Sequence, residues 1–175
     1  MSKHAAHNQG SPGSSVPSRI GSGPVLIEQL PRSRGASGLE IETCADIWLQ
    51  ASLAAHDFIS PDFWRAHHTS MKEQYLPASD VYLAKEMAAV LGFAAVYLGA
   101  LEALFVRPGY WGRGVGSGLL QYVQGLHARL ELAVYGKNSR ALNFYLQHGF
   151  TKTGGQTCPH TGEQEISMQW QKPGS

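Results

Sequence analysis

The sequence predicts a single mixed α/β domain, and three observations carry that reading. Strand-like and helix-like stretches follow one another with short connections along most of the chain. A glycine-dense loop separates an apolar strand pattern from an amphipathic helix pattern. The length of 175 residues suits one domain with a sizeable core, and no repeat marks a second.

The elements can be justified in order. Residues 1–24 read as a flexible tail, because the Gly/Ser/Pro-rich run from Gly10 to Pro24 cannot bury enough apolar surface to offset its ordering entropy. The domain is expected over 25–175, starting with a short apolar strand from Val25 to Leu30. Ile41, Cys44, Ala45, Trp48, Leu49, Ser52 and Leu53 recur at helical spacing and predict a helix to about Ala55. Ser60-Pro61 starts a second helix, expected to run to about Tyr75, with Leu76–Ser79 as a connector. Asp80–Ala84, Val90–Leu98 and Leu101–Val106 read as an antiparallel meander. Leu119, Leu120, Val123 and Leu126 mark a helix after the glycine loop, and Leu130–Tyr135 alternates as a strand. Asn138-Ser139 opens a last helix that Gly149 closes. Phe150–Thr153 and Glu165–Trp170 are the final strands, with a loop over Gly154–Gly162.

Composition excludes several functions. With 43% hydrophobic and 15% charged residues the chain is not disordered, and a net charge of +1 gives no electrostatic case for a nucleic-acid or membrane partner. No secretory signal is readable at the start. The longest uncharged run, Met87–Leu101, falls short of the ~20 residues of a membrane helix. Cys44 and Cys158 stand in no ligand spacing, and adjacent His67 and His68 form no i,i+4 pair, so no metal is expected and a cytoplasmic location is.

The segment Arg107-Pro-Gly-Tyr-Trp-Gly-Arg-Gly-Val-Gly-Ser-Gly118 is the informative one. The first N–H groups of a helix lack intrahelical partners and the dipole's positive end adds to their pull, while glycines let an anion approach the backbone. Gly112, Arg113, Gly114, Val115, Gly116, Ser117 and Gly118 are therefore candidate phosphate-binding residues. Neither the Walker pattern nor the Rossmann GxGxxG pattern fits, since Ser117 and Leu119 stand where a final glycine belongs.

Residues 101–120, Leu-Glu-Ala-Leu-Phe-Val-Arg-Pro-Gly-Tyr-Trp-Gly-Arg-Gly-Val-Gly-Ser-Gly-Leu-Leu, resemble the acetyl-CoA-binding signature of the GNAT (GCN5-related) N-acetyltransferase superfamily. Asn138-Ser-Arg-Ala-Leu-Asn-Phe-Tyr-Leu-Gln-His-Gly-Phe150 resembles its second motif, and Trp48–Ser60 is similar to small bacterial single-domain members. The resemblance implies a mostly antiparallel sheet flanked by helices with a splayed gap between its fourth and fifth strands. It implies acetyl-CoA as co-substrate and direct transfer of acetyl to an amine, on a protein, a peptide or a small molecule, by a monomer or homodimer. Leu104, Phe105 and Val106 would offer backbone groups to the pantetheine arm and carbonyl, and Tyr145 would be the general acid toward the thiolate. Asn138 would bond the pantetheine amide, cap its helix, or both. The base is open between Glu102, expected on the same strand face as Leu104 and Val106, His56 with Asp57, and a water chain. Trp111 departs from the family's Gln or Arg, which questions a loop strut that Arg113 or Arg107 would have to replace. The other reading is a CoA-binding regulatory or interaction module that performs no transfer.

Overall fold

The computed structural model describes residues 24–31 and 38–174, so the expected tail lies almost wholly outside the described residues. One seven-stranded sheet organises them in the spatial order β1-β2-β3-β4-β5-β7-β6. Its strands are β1 (Val25–Gln29), β2 (Asp80–Glu86), β3 (Ala89–Tyr97), β4 (Ala100–Val106), β5 (Arg129–Tyr135), β6 (Thr151–Thr157) and β7 (Gln164–Gln171). Neighbours are antiparallel except β4 and β5, which are parallel and meet at Ala100 and Glu131. β3 and β4 join through Leu98 and Gly99, both with positive φ, so a two-residue turn of the kind that matches strand twist closes the meander.

Helices cover both faces. On one side lie α1 (Gly38–Ala55) and α2 (Pro61–Ser70), followed by a π turn over Met71–Tyr75 and a single helical turn, α3 (Leu76–Ala78). Trp48, Trp64, Phe93, Phe105 and Tyr135 centre the core beneath them. The other side holds α4 (Val115–Leu126) and α5 (Ser139–Gln147), packed through Leu119, Val123, Phe144 and Tyr145 on Leu104, Val106, Leu132 and Val134. The alternation of β4 and β5 thus feeds two separate cores from one strand each.

Two expectations need correcting. The connector at Leu76–Ser79 is helical up to Ala78, because the preceding π turn carries the chain on without a break and Ser79 Oγ bonds Tyr75 O at 2.9 Å. β6 runs to Thr157, which leaves only residues 158–163 as loop. A side chain at Gly155 would come within 2.9 Å of Glu165 O, so glycine there permits close pairing with β7 rather than breaking the strand.

Candidate active site

β4 ends at Val106 and a 3-10 turn at Pro108–Tyr110 leads into the glycine loop. Gly112 and Gly114 both have positive φ, a conformation that glycine adopts without steric cost. Gly114 is the N-cap of α4 and no side chain caps that helix start. A Cβ at Gly114 would meet nothing within 4 Å, so the loop presents an open backbone surface. Gly118 leaves the candidate donor set: its N–H closes the first helical turn on Gly114 O at 2.9 Å, and its own contact is Ile27. Gly112, Arg113, Gly114, Val115, Gly116 and Ser117 remain. The missing strut is Trp111 itself, whose Nε1 donates to Val106 O at 2.7 Å while its ring packs against both cores. Arg107 instead donates to Val90 O at 3.3 Å, and Arg113 stacks over the Tyr110 ring.

The gap beside the loop follows from hydrogen-bond alternation. Arg107 N–H bonds Leu91 O at 2.8 Å, so in the antiparallel register Phe105–Phe93 is the next hydrogen-bonded pair. The backbone groups of Phe105 are thereby turned to β3, and those of Leu104 and Val106 toward β5. On β5, Gly136 N–H to Gln164 O and Lys172 N–H to Ala128 O, each 2.8 Å, turn Leu130, Leu132 and Val134 to β7. Ala133 and Tyr135 are left facing β4. The parallel pairing itself is confined to Ala100 and Glu131, with Glu131 N–H on Gly99 O at 3.1 Å. Val106 O is engaged by Trp111, and Tyr135 O by Asn138 N–H at 2.9 Å. Two rows of backbone groups therefore face one another across strands that diverge toward the glycine loop. Of the three β4 residues singled out in the sequence, Leu104 and Val106 offer such groups and Phe105 does not.

Tyr145 is fully buried among the residues that line the α4–α5 side of this gap, edge-on to Phe144 and Phe150. Burial raises its phenol above the ordinary tyrosine range, so it stays protonated at neutral pH. Among the described residues its hydroxyl has no hydrogen-bond partner, an exception for a buried polar atom that calls for an explanation. Asn138 caps α5: Oδ1 accepts from Ala141 N–H at 3.1 Å, while Nδ2 lies 3.2 Å from His56 Nε2.

The base candidates separate. His56 is buried: it is 1% exposed and stacks on Trp64 at 5.0 Å. The spacing of the α1 pattern could not show this, because the residue lies one past the helix end, where the chain turns inward. Asp57 beside it is exposed. Glu102 does not share the face of Leu104 and Val106. Val96 lies opposite Leu101 and Ala95 opposite Ala103, so Glu102 is the extra residue of a β-bulge and Leu101 takes the place on that face. Half-buried, Glu102 borders a cavity of about 370 Å³ with Arg129, Glu131, Thr153, Ser167 and Gln169, where β4 and β5 come together. A smaller hollow of about 200 Å³ lies between Phe58, Phe63, His160 and Thr161, at the α1–α2 junction and the β6–β7 loop. His67 and His68 go separate ways, to Phe63 O at 2.7 Å and Asp46 at 3.0 Å. Glu42, Asp46 and His68 approach within 4.8 Å of one another, and Lys72 pairs with Glu42 at 3.0 Å.

A split sheet beside an uncapped, glycine-rich helix start is a scaffold suited to an extended ligand that carries phosphates. Comparison with known proteins gives the family. Residues 77–152 match the family described as Acetyltransferase (GNAT) domain. Over 118 residues the chain is 36% identical to the peptidyl-lysine N-acetyltransferase YiaC of Escherichia coli (strain K12), covering 67% of this chain and 81% of that one. It is 31% identical over 130 residues to the peptidyl-lysine N-acetyltransferase YjaB of Salmonella typhimurium, covering 74% of this chain and 87% of the relative. The solution structure of apo YjaB from Escherichia coli shares the fold at a TM-score of 0.71 and 23% identity, covering 84% of this chain and 97% of that one. The chain belongs to the GNAT family of N-acetyltransferases. No helix among the described residues is long and apolar enough to cross a membrane.

Proposed function

We propose that the chain transfers acetyl from acetyl-CoA directly to a primary amine, with lysine side chains of peptides or proteins as the acceptor class. The observation that carries this is the pair of backbone rows, Leu104 and Val106 against Ala133 and Tyr135, opening toward the uncapped start of α4. An amide-bearing arm fits between such rows as an added strand, with its diphosphate on the N–H groups of residues 113–117. The Tyr145 hydroxyl, without a partner among the described residues, fits the same ligand, since a departing sulfur would supply an acceptor that those residues do not. The lysine preference rests on the two relatives named for it.

The chemistry is aminolysis of a thioester. The neutral amine nitrogen attacks the carbonyl carbon, the C–S bond breaks, and one proton leaves nitrogen while the thiolate is stabilised. Leu104 or Val106 N–H stabilises the negative charge that develops on the carbonyl oxygen. Tyr145 donates a hydrogen bond to the sulfur. Its raised pKa lies above that of a thiol, so complete proton transfer is uphill and charge stabilisation is its larger contribution. Glu102 lies at the narrow end of the gap and the rim of the polar cavity, which supports it as the carboxylate that receives the amine's proton through water. The acceptor approaches from the α1–α2 side, where Phe58, Phe63, His160 and Thr161 form the hollow.

The test is free-thiol release with acetyl-CoA over a panel of lysine peptides, N-terminal peptides, polyamines and aminoglycosides. Turnover of the lysine peptides at least tenfold above the other amines is expected. A binding-only module would be stabilised thermally by acetyl-CoA yet release thiol with none of them.

A further inference from the structure

We propose that His56 is a positioning residue, which holds the start of α5, and with it Tyr145, by accepting a hydrogen bond from Asn138 as a neutral imidazole. The network fixes the polarity of that bond. Ala141 N–H can only donate, so the Asn138 atom that meets it at 3.1 Å is the amide oxygen. The amide nitrogen is thereby turned to His56 Nε2 at 3.2 Å, and because an amide nitrogen only donates, Nε2 presents its lone pair. The ring's proton is then on Nδ1. An imidazolium would set two donors against each other, and reversing the amide to relieve them would remove the oxygen that caps α5.

The ring is built in, not merely present. It stacks on Trp64 of α2 at 5.0 Å and meets Phe58 and Tyr135 edge-on at 5.6 and 5.4 Å. His56 N–H closes the end of α1 on Ser52 O at 3.0 Å, and His56 O accepts from Ile59 N–H at 3.1 Å. One side chain thus ties the α1–α2 junction, on the acceptor face, to the cap of the helix that carries Tyr145 on the opposite face. Nothing else about the residue matches a proton acceptor for substrate: it is 1% exposed and Nε2 is engaged. The inference rests on the reading of Tyr145 given above.

The test combines kinetics with amide hydrogen exchange in the full chain. His56→Phe keeps an aromatic ring for the stack and removes the acceptor, whereas His56→Gln places an amide oxygen near the position of Nε2. Asn138→Ser keeps a capping oxygen for Ala141 and removes the donor, so it breaks the same bond from the other side. We expect His56→Phe and Asn138→Ser each to speed exchange at Ala141 and Leu142 at least tenfold. Each should also lower kcat about tenfold, in His56→Phe with the KM for acetyl-CoA within twofold, and His56→Gln should recover both protection and kcat to within threefold. Should His56→Phe fail to fold, Asn138→Ser and His56→Gln still decide. Wild-type protection together with wild-type kcat in Asn138→Ser would overturn the proposal. So would a His56→Gln enzyme that keeps its α5 protection and is as slow as His56→Phe, because that pattern belongs to a direct proton acceptor. If the wild-type chain acetylates no amine, the transfer reading fails, and the exchange measurements alone judge the clamp.

Discussion

The two faces of the sheet are built on different principles. The α4–α5 face presents backbone: glycine conformations at Gly112 and Gly114, a helix start whose N-cap is glycine, and strand groups on Leu104, Val106 and Ala133. The α1–α2 face is a matter of side chains, with His56, Phe58, Phe63, Trp64 and Tyr135 packed ring against ring. Backbone recognition demands a particular local conformation and therefore particular residues, glycines above all. Aromatic packing accepts many combinations that fill the same space. A common co-substrate and a variable acceptor divide naturally between two such faces.

This division can be broken most sharply at Tyr145, the side chain on the backbone-built face proposed to bond the departing sulfur. Tyr145→Phe should lower kcat about 100-fold or more, the range of a lost acid or hydrogen-bond donor, while the KM for acetyl-CoA stays within twofold. Because its hydroxyl has no partner among the described residues, the change gives up no hydrogen bond to them, and the melting temperature should hold or rise. Steady-state kinetics and a thermal melt on one preparation check both halves. Gly114→Val attacks the cradle itself. Valine at a φ of 80° carries strain of roughly 1–2 kcal/mol, and restoring an ordinary φ would turn the N–H groups away from the diphosphate. Acetyl-CoA affinity should fall some thirtyfold by calorimetric titration, with the acceptor's KM little changed. Trp111→Phe is the mildest change. It removes the Nε1 bond to Val106 O but leaves an aromatic ring, so a neutral bond of about 1 kcal/mol translates into a roughly fivefold rise in the KM for acetyl-CoA. An equal rise in the acceptor's KM would blur the division between the faces.

The same division explains what the sequence disclosed. The glycine loop, the α4 pattern and the Asn138 cap depend on local rules, and each lies where residue spacing placed it. Hidden were features that need a partner strand or a distant ring. The bulge that removes Glu102 from the face of Leu104 is a mismatch between β3 and β4, invisible in either strand alone. Trp111 looked like a departure from a pattern, yet its indole reaches back five residues and does the strut's work by a different bond. Phe105 could be separated from its neighbours only once the register with β3 was known. His56 stood as a base candidate at a helix end, and its burial could not be read from the helix pattern. Only the arrival of Trp64 and Tyr135 from elsewhere in the chain buries it.

The central claim is that alternate backbone groups of β4 and β5 hold acetyl-CoA, and residue-resolved amide exchange with and without it is the direct test. Exchange is expected to slow at Leu104, Val106 and Ala133 and along residues 113–117, with Phe105 and Leu132 unchanged because their N–H groups already serve β3 and β7. Slowing that spares Leu104, Val106 and Ala133, or that falls equally on Phe105 and Leu132, would contradict the claim.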